Sequence, residues 1–562
     1  VTTLFDPLAP VTPRSPLKAK VELRPYQQQS VSSILEAFDS SASTLLVLPT
    51  GTGKTICFAS LIGKVPGQRT LVLAHREELI WQAVQKIKAV TGQEPAVEMA
   101  NKWSDEYLEK SPIVVSSIQT QVAGKNGKGR MTRFKPWDFG LVIVDEAHHA
   151  PAKTYRRVID WYKRNPDIKI LGVTATPDRH DEAALGQIFD TVAFDYEIND
   201  AIRDGWLVNI LQTSVFVDGL DFSHARTTAG DLNGADLAKI MEEEETLHGI
   251  ATPTIELAKG RKTLVFAASV HHAERLCEIF NRHERGCARF VCGKTAKDER
   301  RQVVEDYAAG RFQFLTNVGV ATEGFDDPSI AVVSIARPTK SRALYAQMVG
   351  RGTRPLPGIA DSYETAEDRR EGIRESDKPS LEVIDFVGNA GRHKLMTTAD
   401  ILGGNYDDDI VERATRNAQE KNAPVDMLEE LDKAKEQIHA ERKAERERRR
   451  HVIAQAEYRT QVINPFELLD IEPERERGWH RGRQLTEKMT AMLQRNGFDP
   501  TKLNYTHAKQ VIGEIINHPE KMPCTAGQAK VLRRFGYKPE NHNKQQASEV
   551  IDALANNGWR RP

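Results

Sequence analysis

The heptapeptide Pro49, Thr50, Gly51, Thr52, Gly53, Lys54, Thr55 follows the apolar run TLLVLP (44–49) and precedes ICFASLIG, so a glycine-rich turn joins a strand to a helical pattern. That context suits a phosphate cradle. Gly51 and Gly53 allow backbone N–H groups to approach phosphate oxygens, Lys54 reaches the β and γ phosphates, and the Thr55 hydroxyl can ligate Mg²⁺. The strict motif begins with Gly where this chain has Leu48, and an ordinary strand-to-helix turn would account for the string by itself. A second element changes the balance. LVIVDEAH (141–148) places Asp145 and Glu146 at the end of another apolar strand. There one carboxylate can hold Mg²⁺ and its neighbour can orient or deprotonate an attacking water. A surface turn explains one such carboxylate, but not two at the mouth of a buried strand.

These groups need a scaffold, and the apolar runs supply one. TLLVLP, TLVLA (70–74), IVVSS (113–117), LVIVD (141–145) and KILGVTA (169–175) recur between polar helical stretches, the pattern of buried parallel strands with crossover helices. A second series follows in TLVFAA (263–268), CARFVC (287–292), FQFLTN (312–317), IAVVSIA (330–336) and LEVIDF (381–386). Two α/β parallel-sheet domains in tandem are expected, at 21–200 and 259–405, with a flexible N-terminus over 1–20 and a connector over 201–258. Residues 356–379 are dense in charge and read as a mobile surface excursion. Residues 406–477 form a long charged helical linker in which Met427, Leu431, Ala434 and Ile438 keep heptad-like spacing before it fades. The segment 478–562 reads as a small α-helical domain built from an internal repeat. Thr486, Leu493, Gly497, Pro500, Ala508, Val511 and Ile512 recur 39 residues later as Thr525, Leu532, Gly536, Pro539, Ala547, Val550 and Ile551.

Composition bounds the possibilities. The 562 residues are 40% hydrophobic and 28% charged, which rules out disorder and collagen. Lys plus Arg number 78 against 79 Asp plus Glu, so a nucleic-acid surface must be a local patch. The segment 478–562 is such a patch, with 14 basic and 7 acidic residues. Five scattered cysteines fit free thiols in a reducing compartment, and His283, Cys287 and Cys292 lack a fourth ligand at zinc spacing. No apolar run reaches the ~18 residues of a membrane span. A soluble, cytoplasmic protein without membrane partners is expected.

With the two elements in place, the chain resembles superfamily 2 helicases and translocases of the DEAH-box type over about residues 20–400. RPYQ (24–27) resembles the adenine-reading Q motif, LAHREELIWQ (73–82) motif Ia, SSIQT (116–120) the following nucleic-acid motif and TAT (174–176) motif III. LVFAASVHHAERL (264–276) resembles motif IV, TNVGVATEGFDDP (316–328) motif V and QMVGRGTR (347–354) motif VI. The resemblance implies two RecA-like domains with ATP and Mg²⁺ between them. It further implies that Arg24 and Gln27 read the base, and that Gln347, Arg351 and Arg354 act from the second domain, the arginines as fingers on the transferred phosphoryl group. Gly324 and Asp326 would link the nucleotide to the strand, His148, Thr174 and Thr176 would couple the site mechanically, and Arg76, Ser117, Thr120 and Thr316 would touch the polymer. RPYQ, LAHREEL, GFDDP and ARPTKSRALYAQMVGRGTR are most similar to RadD-like DNA-repair helicases and, more distantly, to restriction-type motor subunits.

The expectation is therefore a DNA-stimulated ATPase, a helicase or double-strand translocase of repair, recombination or genome defence. A motor subunit of a restriction or anti-phage complex, an RNA helicase and an ATP-gated scaffold are the alternatives. The repeats offer a docking module for a protein partner or a direct contact to nucleic acid.

Overall fold

The computed structural model describes residues 22–65, 69–100, 102, 104, 111–124, 129–175, 183–228, 230–319, 325, 327–391, 393–404, 406–421, 423–453, 465–469, 471, 473–496, 498–517, 526–538 and 544–559. Two compact units emerge. One comprises Val1–Asp181, Gln187–Gly404 and Asp409–Ala434, the other Glu182–Gly186, Asn405–Asp408 and Lys435–Pro562. The expected Thr176, Gly324, Asp326, Gly497, Cys524, Thr525 and Pro539 lie outside the described residues.

The first unit contains two seven-stranded sheets, the two α/β domains expected from the apolar runs. In the first sheet β1 (Ser43–Val47), β2 (Thr70–Ala74), β3 (Ala96–Glu98), β4 (Ile113–Ser117), β5 (Leu141–Asp145), β6 (Lys169–Thr174) and β7 (Thr191–Asp195) run parallel in the order β3-β4-β2-β5-β6-β1-β7. Every residue of β1, β2, β4 and β5 is buried, which is why these strands read as unbroken apolar runs rather than as alternation. The edge strand β7 is only partly buried and carried no such signal.

The second sheet orders β8 (Asn209–Asp221), β11 (Thr263–Phe266), β12 (Ala288–Val291), β13 (Phe314–Asn317), β14 (Val332–Ile335), β15 (Ser380–Asn389) and β16 (Val425–Asp426) as β12-β13-β11-β14-β15-β8-β16. All its pairings are parallel except that of β16 with β8. A small hairpin, β9 (Thr227–Thr228) with β10 (Asp231–Leu232), follows β8. The segment expected as a connector thus supplies β8, paired with β15 from Asn209 to Asp221. Its mixed polarity has a physical source: several of its side chains are exposed or half-buried, so its pattern resembled neither a buried strand nor a helix. The core beneath this sheet stacks Phe280 on Phe314, centroids 4.4 Å apart, and buries Leu237, Met241, Leu247 and Ile250 from the same segment. Residues 356–379, read as a mobile excursion, contain the helix Ala366–Arg374, whose Arg369 is buried and bonded to three backbone carbonyls.

The second unit takes in most of the charged helix Met427–Ile453 and then the repeats. Met427, Leu431, Ala434 and Ile438, the heptad-spaced residues, are buried. Each repeat copy is two helices: Glu487–Arg495 with Tyr505–Asn517, then Ala526–Arg534 with Lys544–Asn556. The same turn closes both, with Phe498 N donating to Leu493 O at 3.0 Å and Tyr537 N to Leu532 O at 2.9 Å. Leu493 and Leu532, Ala508 and Ala547, and Ile515 and Leu554 are buried at equivalent places.

Candidate active site

In an open parallel sheet, the loops at the carboxyl ends of adjacent strands form the natural crevice for a ligand. In the first sheet β1, β6 and β5 are neighbours, with Val47 opposite Thr174 and Asp145 opposite Val173. The phosphate-type loop after β1, the carboxylates at the end of β5 and Thr174 at the end of β6 are therefore brought together by register alone.

The loop has the backbone that its glycines allow. Gly51 and Gly53 sit at φ +94° and +82°, the left-handed region, and Gly53 caps the helix Lys54–Ala59. Both are also sterically confined. A Cβ on Gly53 would come within 2.7 Å of Gln27 Nε2, and one on Gly51 within 3.2 Å of Arg354 Cγ. Gln27 Nε2 donates to Thr52 O at 2.9 Å, Tyr26 Oη donates to the same carbonyl at 2.7 Å, and Gln27 Oε1 accepts from Arg24 N at 3.0 Å. The Q-type segment thus braces the loop from behind. Pro49 accepts the Thr52 hydroxyl at 2.8 Å, and Thr55 lies in the first turn of the helix.

Lys54 Nζ stands 3.8 Å from Glu146 Oε1, and His148 Nδ1 stands 3.4 Å from Glu146 Oε2. Burial opposes ionisation of Glu146, yet Lys54 and His148 outweigh it and hold the carboxyl below its ordinary range. Burial pushes Asp145 the other way, up to about 6, reinforced by the Glu146 charge. Glu146 also occupies left-handed backbone, φ +49°, a costly conformation for a residue with a Cβ and one concentrated at functional sites. His148 Nδ1 lies 3.3 Å from Thr174 Oγ1, so a chain of contacts leads from Glu146 to the end of β6.

The second sheet reaches this loop through the helix Arg342–Gly350 and the turn after it. A Cβ on Gly350 would meet Thr50 Cβ at 2.7 Å, so only glycine permits this approach. Arg354 lies against Gly51, and burial followed by the nearby charge of Arg24 lowers its pKa. Cations gathered in a closed cleft in this way suit a polyanion, whose charge would reverse that penalty. The cradle and its cations therefore fit a triphosphate. Arg351 Nη1 donates to Phe325 O at 2.7 Å, and Gln347 is buried on the helix.

Three of the expected polymer contacts are committed elsewhere. Thr316 is fully buried and donates to Ala273 O at 2.9 Å. Ser117 Oγ caps the helix Ile118–Val122 through Thr120 N and donates to Thr120 Oγ1 at 2.6 Å, while that oxygen accepts from Ala100 N. The Ser117 and Thr120 hydroxyls thus belong to a helix cap and that of Thr316 is bonded to a carbonyl. Arg76 Nη1 donates to Gly319 O at 3.1 Å, crossing from the first sheet's side to the second's.

The sequence missed the surroundings of Arg24. Its guanidinium lies 4.8 Å from the Trp206 ring and binds Asp361 through two bonds of 2.8 and 2.9 Å. Arg369 lies 4.0 Å from the same ring, and Tyr26 stacks on Tyr196 at 5.0 Å. Trp206 and Arg369 fell in stretches of mixed polarity and dense charge, where no spacing distinguished them.

Two mainly parallel sheets thus meet at a phosphate-type cleft, the arrangement the sequence resemblance implies. Comparison with known proteins agrees. Residues 20–179 match the family "Type III restriction enzyme, res subunit", and residues 244–355 match the "Helicase conserved C-terminal domain". A Saccharomyces cerevisiae protein named as an ATP-dependent helicase, IRC3, is 30% identical over 70% of this chain and 55% of its own length. The "DNA 3'-5' helicase XPB" of Mycobacterium tuberculosis is 26% identical over 59% of this chain and 58% of its own. The "Type I restriction enzyme EcoAI endonuclease subunit" of Escherichia coli is 24% identical over 59% and 44% respectively. The chain carries a restriction-type ResIII domain and a helicase C-terminal domain, and its homologues are superfamily 2 helicases. It spans about half the length of the curated relatives it matches. Among the described residues no helix is long and apolar enough to cross a membrane.

Proposed function

We propose that this chain is an ATP- and Mg²⁺-dependent motor on DNA, a helicase or double-strand translocase acting in repair, recombination or genome defence. The observation that carries the reading is the meeting of Arg354, from beyond the second sheet's helix, with Gly51 of the phosphate-type loop. A site whose cations come from both halves is complete only when the halves are together, so turnover is coupled to their relative position. Thr55 and Asp145 would hold Mg²⁺, which would supply positive charge against that developing on the transferred group. Lys54 binds the polyphosphate, Arg354 stabilises charge developing on the transferred phosphoryl group, Gln27 and Arg24 orient the base, and Glu146, kept ionised by Lys54 and His148, accepts a proton from water. Arg76, at the seam between the halves, is the candidate for a phosphate contact that reports the polymer.

Restriction-type relatives favour a second reading, in which the chain is the motor of a larger restriction or anti-phage assembly with the repeats as docking module. The basic segment 478–562 also suits a direct phosphate contact. ATP hydrolysis measured with duplex DNA, single-stranded DNA and RNA tests the principal reading. Stimulation by DNA above RNA is expected. Equal or greater stimulation by RNA would transfer the motor to RNA, and indifference to all three would leave an ATP-gated scaffold.

A further inference from the structure

Lys378 is a lysine with 2% of its surface exposed, in a segment that reads from sequence as solvent-facing. Its Nζ donates to two backbone carbonyls, Pro328 O at 2.7 Å and Arg354 O at 2.6 Å. The first carbonyl belongs to the stretch after β13, whose Phe325 O accepts from Arg351; the second belongs to the arginine that meets Gly51. The turn following helix Arg342–Gly350 is thus fastened twice to carbonyls after β13, to Phe325 O through Arg351 and to Pro328 O through Lys378.

We propose that Lys378 is a positioning residue: by holding the Arg354 and Pro328 carbonyls together it sets where Arg354 stands against the phosphate-type loop. The inference rests on the reading of that cleft as an ATP-hydrolysing site. Burial of an ammonium is costly, and it pulls this one down to about 7, with the Asp327 charge opposing and Arg354 assisting. A buried lysine with such a penalty persists only where its bonds return something. A neutral amine still has two N–H groups, so both carbonyls keep their donor on either side of that titration. The Lys378 ammonium bonds to Pro328 O and Arg354 O and not to Gln27, Lys54 or the Thr52 carbonyl, so the base and loop contacts do not run through it.

The test is Lys378→Met, which keeps length and apolar shape but removes the donors. It is read in the full chain by DNA-stimulated ATP hydrolysis, by fluorescent ATP-analogue binding and by thermal melting. Misplacing Arg354 should lower kcat by about 10- to 100-fold. KM and analogue affinity should stay within about threefold of the parent. Lys262→Met provides the structural comparison. Lys262 is half-buried beside the same segment, but its bonds run to Ala308 O, Asp327 and Ser329. Its loss should lower the melting temperature while kcat changes by less than about threefold. Equal falls in kcat for the two variants, or a fall in affinity that accounts for the whole loss at Lys378, would overturn the proposal. If Lys378→Met does not fold, Lys378→Gln, whose shorter amide cannot span both carbonyls, is held to the same criteria. A parent chain that hydrolyses no ATP would sink the reading of the cleft instead, which is a distinguishable result.

Discussion

In the first sheet each reactive side chain stands within a few residues of a strand's carboxyl end, and strand register alone gathers Lys54, Asp145, Glu146 and Thr174. Beyond the second sheet the arginines stand on a turn after a helix, and remote groups hold them: Phe325 O for Arg351, and Lys378 for the Arg354 carbonyl. The first arrangement is stiff by construction. The second is held within its own half, and its meeting with Gly51 and Thr50 is what a relative movement of the halves can make or break, as the proposed motor requires. The difference teaches that binding and activation can be divided between a fixed wall and an adjustable one.

The largest expected effects set those walls against each other. Arg354→Ala should reduce DNA-stimulated kcat by about 10³-fold, as removal of a phosphoryl-stabilising arginine does elsewhere. Lys54→Ala should abolish nucleotide-dependent turnover. Glu146→Gln should bind an ATP analogue with the parent's affinity while losing about 10²- to 10³-fold in kcat, comparable to losing one preorganised charge. Single-turnover hydrolysis and equilibrium binding check all three. If Arg354→Ala hydrolyses ATP at a rate near the parent's, the adjustable wall contributes nothing and the comparison breaks. Full turnover by Glu146→Gln would show that another group handles the water.

A smaller effect concerns how the fixed wall hears from the polymer. His148 is shared between Glu146 and Thr174. Thr174→Val removes the hydroxyl and keeps the shape. It should cut stimulation by DNA about 5- to 20-fold, within the usual range of coupling energies, and leave DNA-free hydrolysis nearly unchanged. A variant that loses both rates in proportion would make Thr174 part of the chemistry rather than of the coupling.

The second sheet's own stability should carry a pH signature. His272 is fully buried, its Nδ1 accepting from Ala268 N at 3.2 Å, and burial together with the His271 charge pulls its pKa down to about 3. An unfolded histidine titrates near 6.5. Between those values the unfolded chain binds the extra proton, so this residue costs nothing above about pH 6.5 and destabilises progressively as pH falls. At about 1.4 kcal/mol per pH unit, lowering pH from 6.5 to 5 should remove about 2 kcal/mol, measured by denaturant titration. His272→Gln should flatten that slope; an unchanged slope would assign the pH dependence to other groups.

Legibility followed the same division between the walls. The buried strands β1, β2, β4 and β5 and the loops they carry are local in sequence, so apolar runs and short motifs found them together with Lys54, Asp145 and Glu146. The repeats were legible for a related reason, since two copies of one packing problem put Leu493 and Leu532 in equivalent buried places. What escaped was non-local or ambivalent. β8 precedes the rest of its sheet and is half-exposed, so its pattern carried no clear period. Trp206, Asp361, Arg369 and Lys378 gain their meaning only from partners far away in the chain. Ser117, Thr120 and Thr316 show a different ambiguity: a hydroxyl at a strand end looks the same in sequence whether it faces a polymer or bonds within the fold.

The smallest expected effect tests whether one of those escaped partners matters to the site. Asp361 binds Arg24 through both carboxylate oxygens, a planar fork matched to a guanidinium, above the Trp206 ring. The pair joins the segment before the first sheet, proposed to read the base, to residues 356–379 near the second, so it belongs to both walls. Yet its side chains are 26% and 55% exposed, and water screens an ion pair so placed. Exposed pairs are worth roughly 0.2–1 kcal/mol, and Asp361→Asn should therefore raise KM for ATP only about two- to threefold, leaving kcat near the parent value. High salt should shrink the difference between parent and variant, because the interaction removed is mostly Coulombic. A loss concentrated in kcat would mean that the pair helps close the halves around the nucleotide, and the adjustable wall would then begin at Arg24 rather than at Arg354.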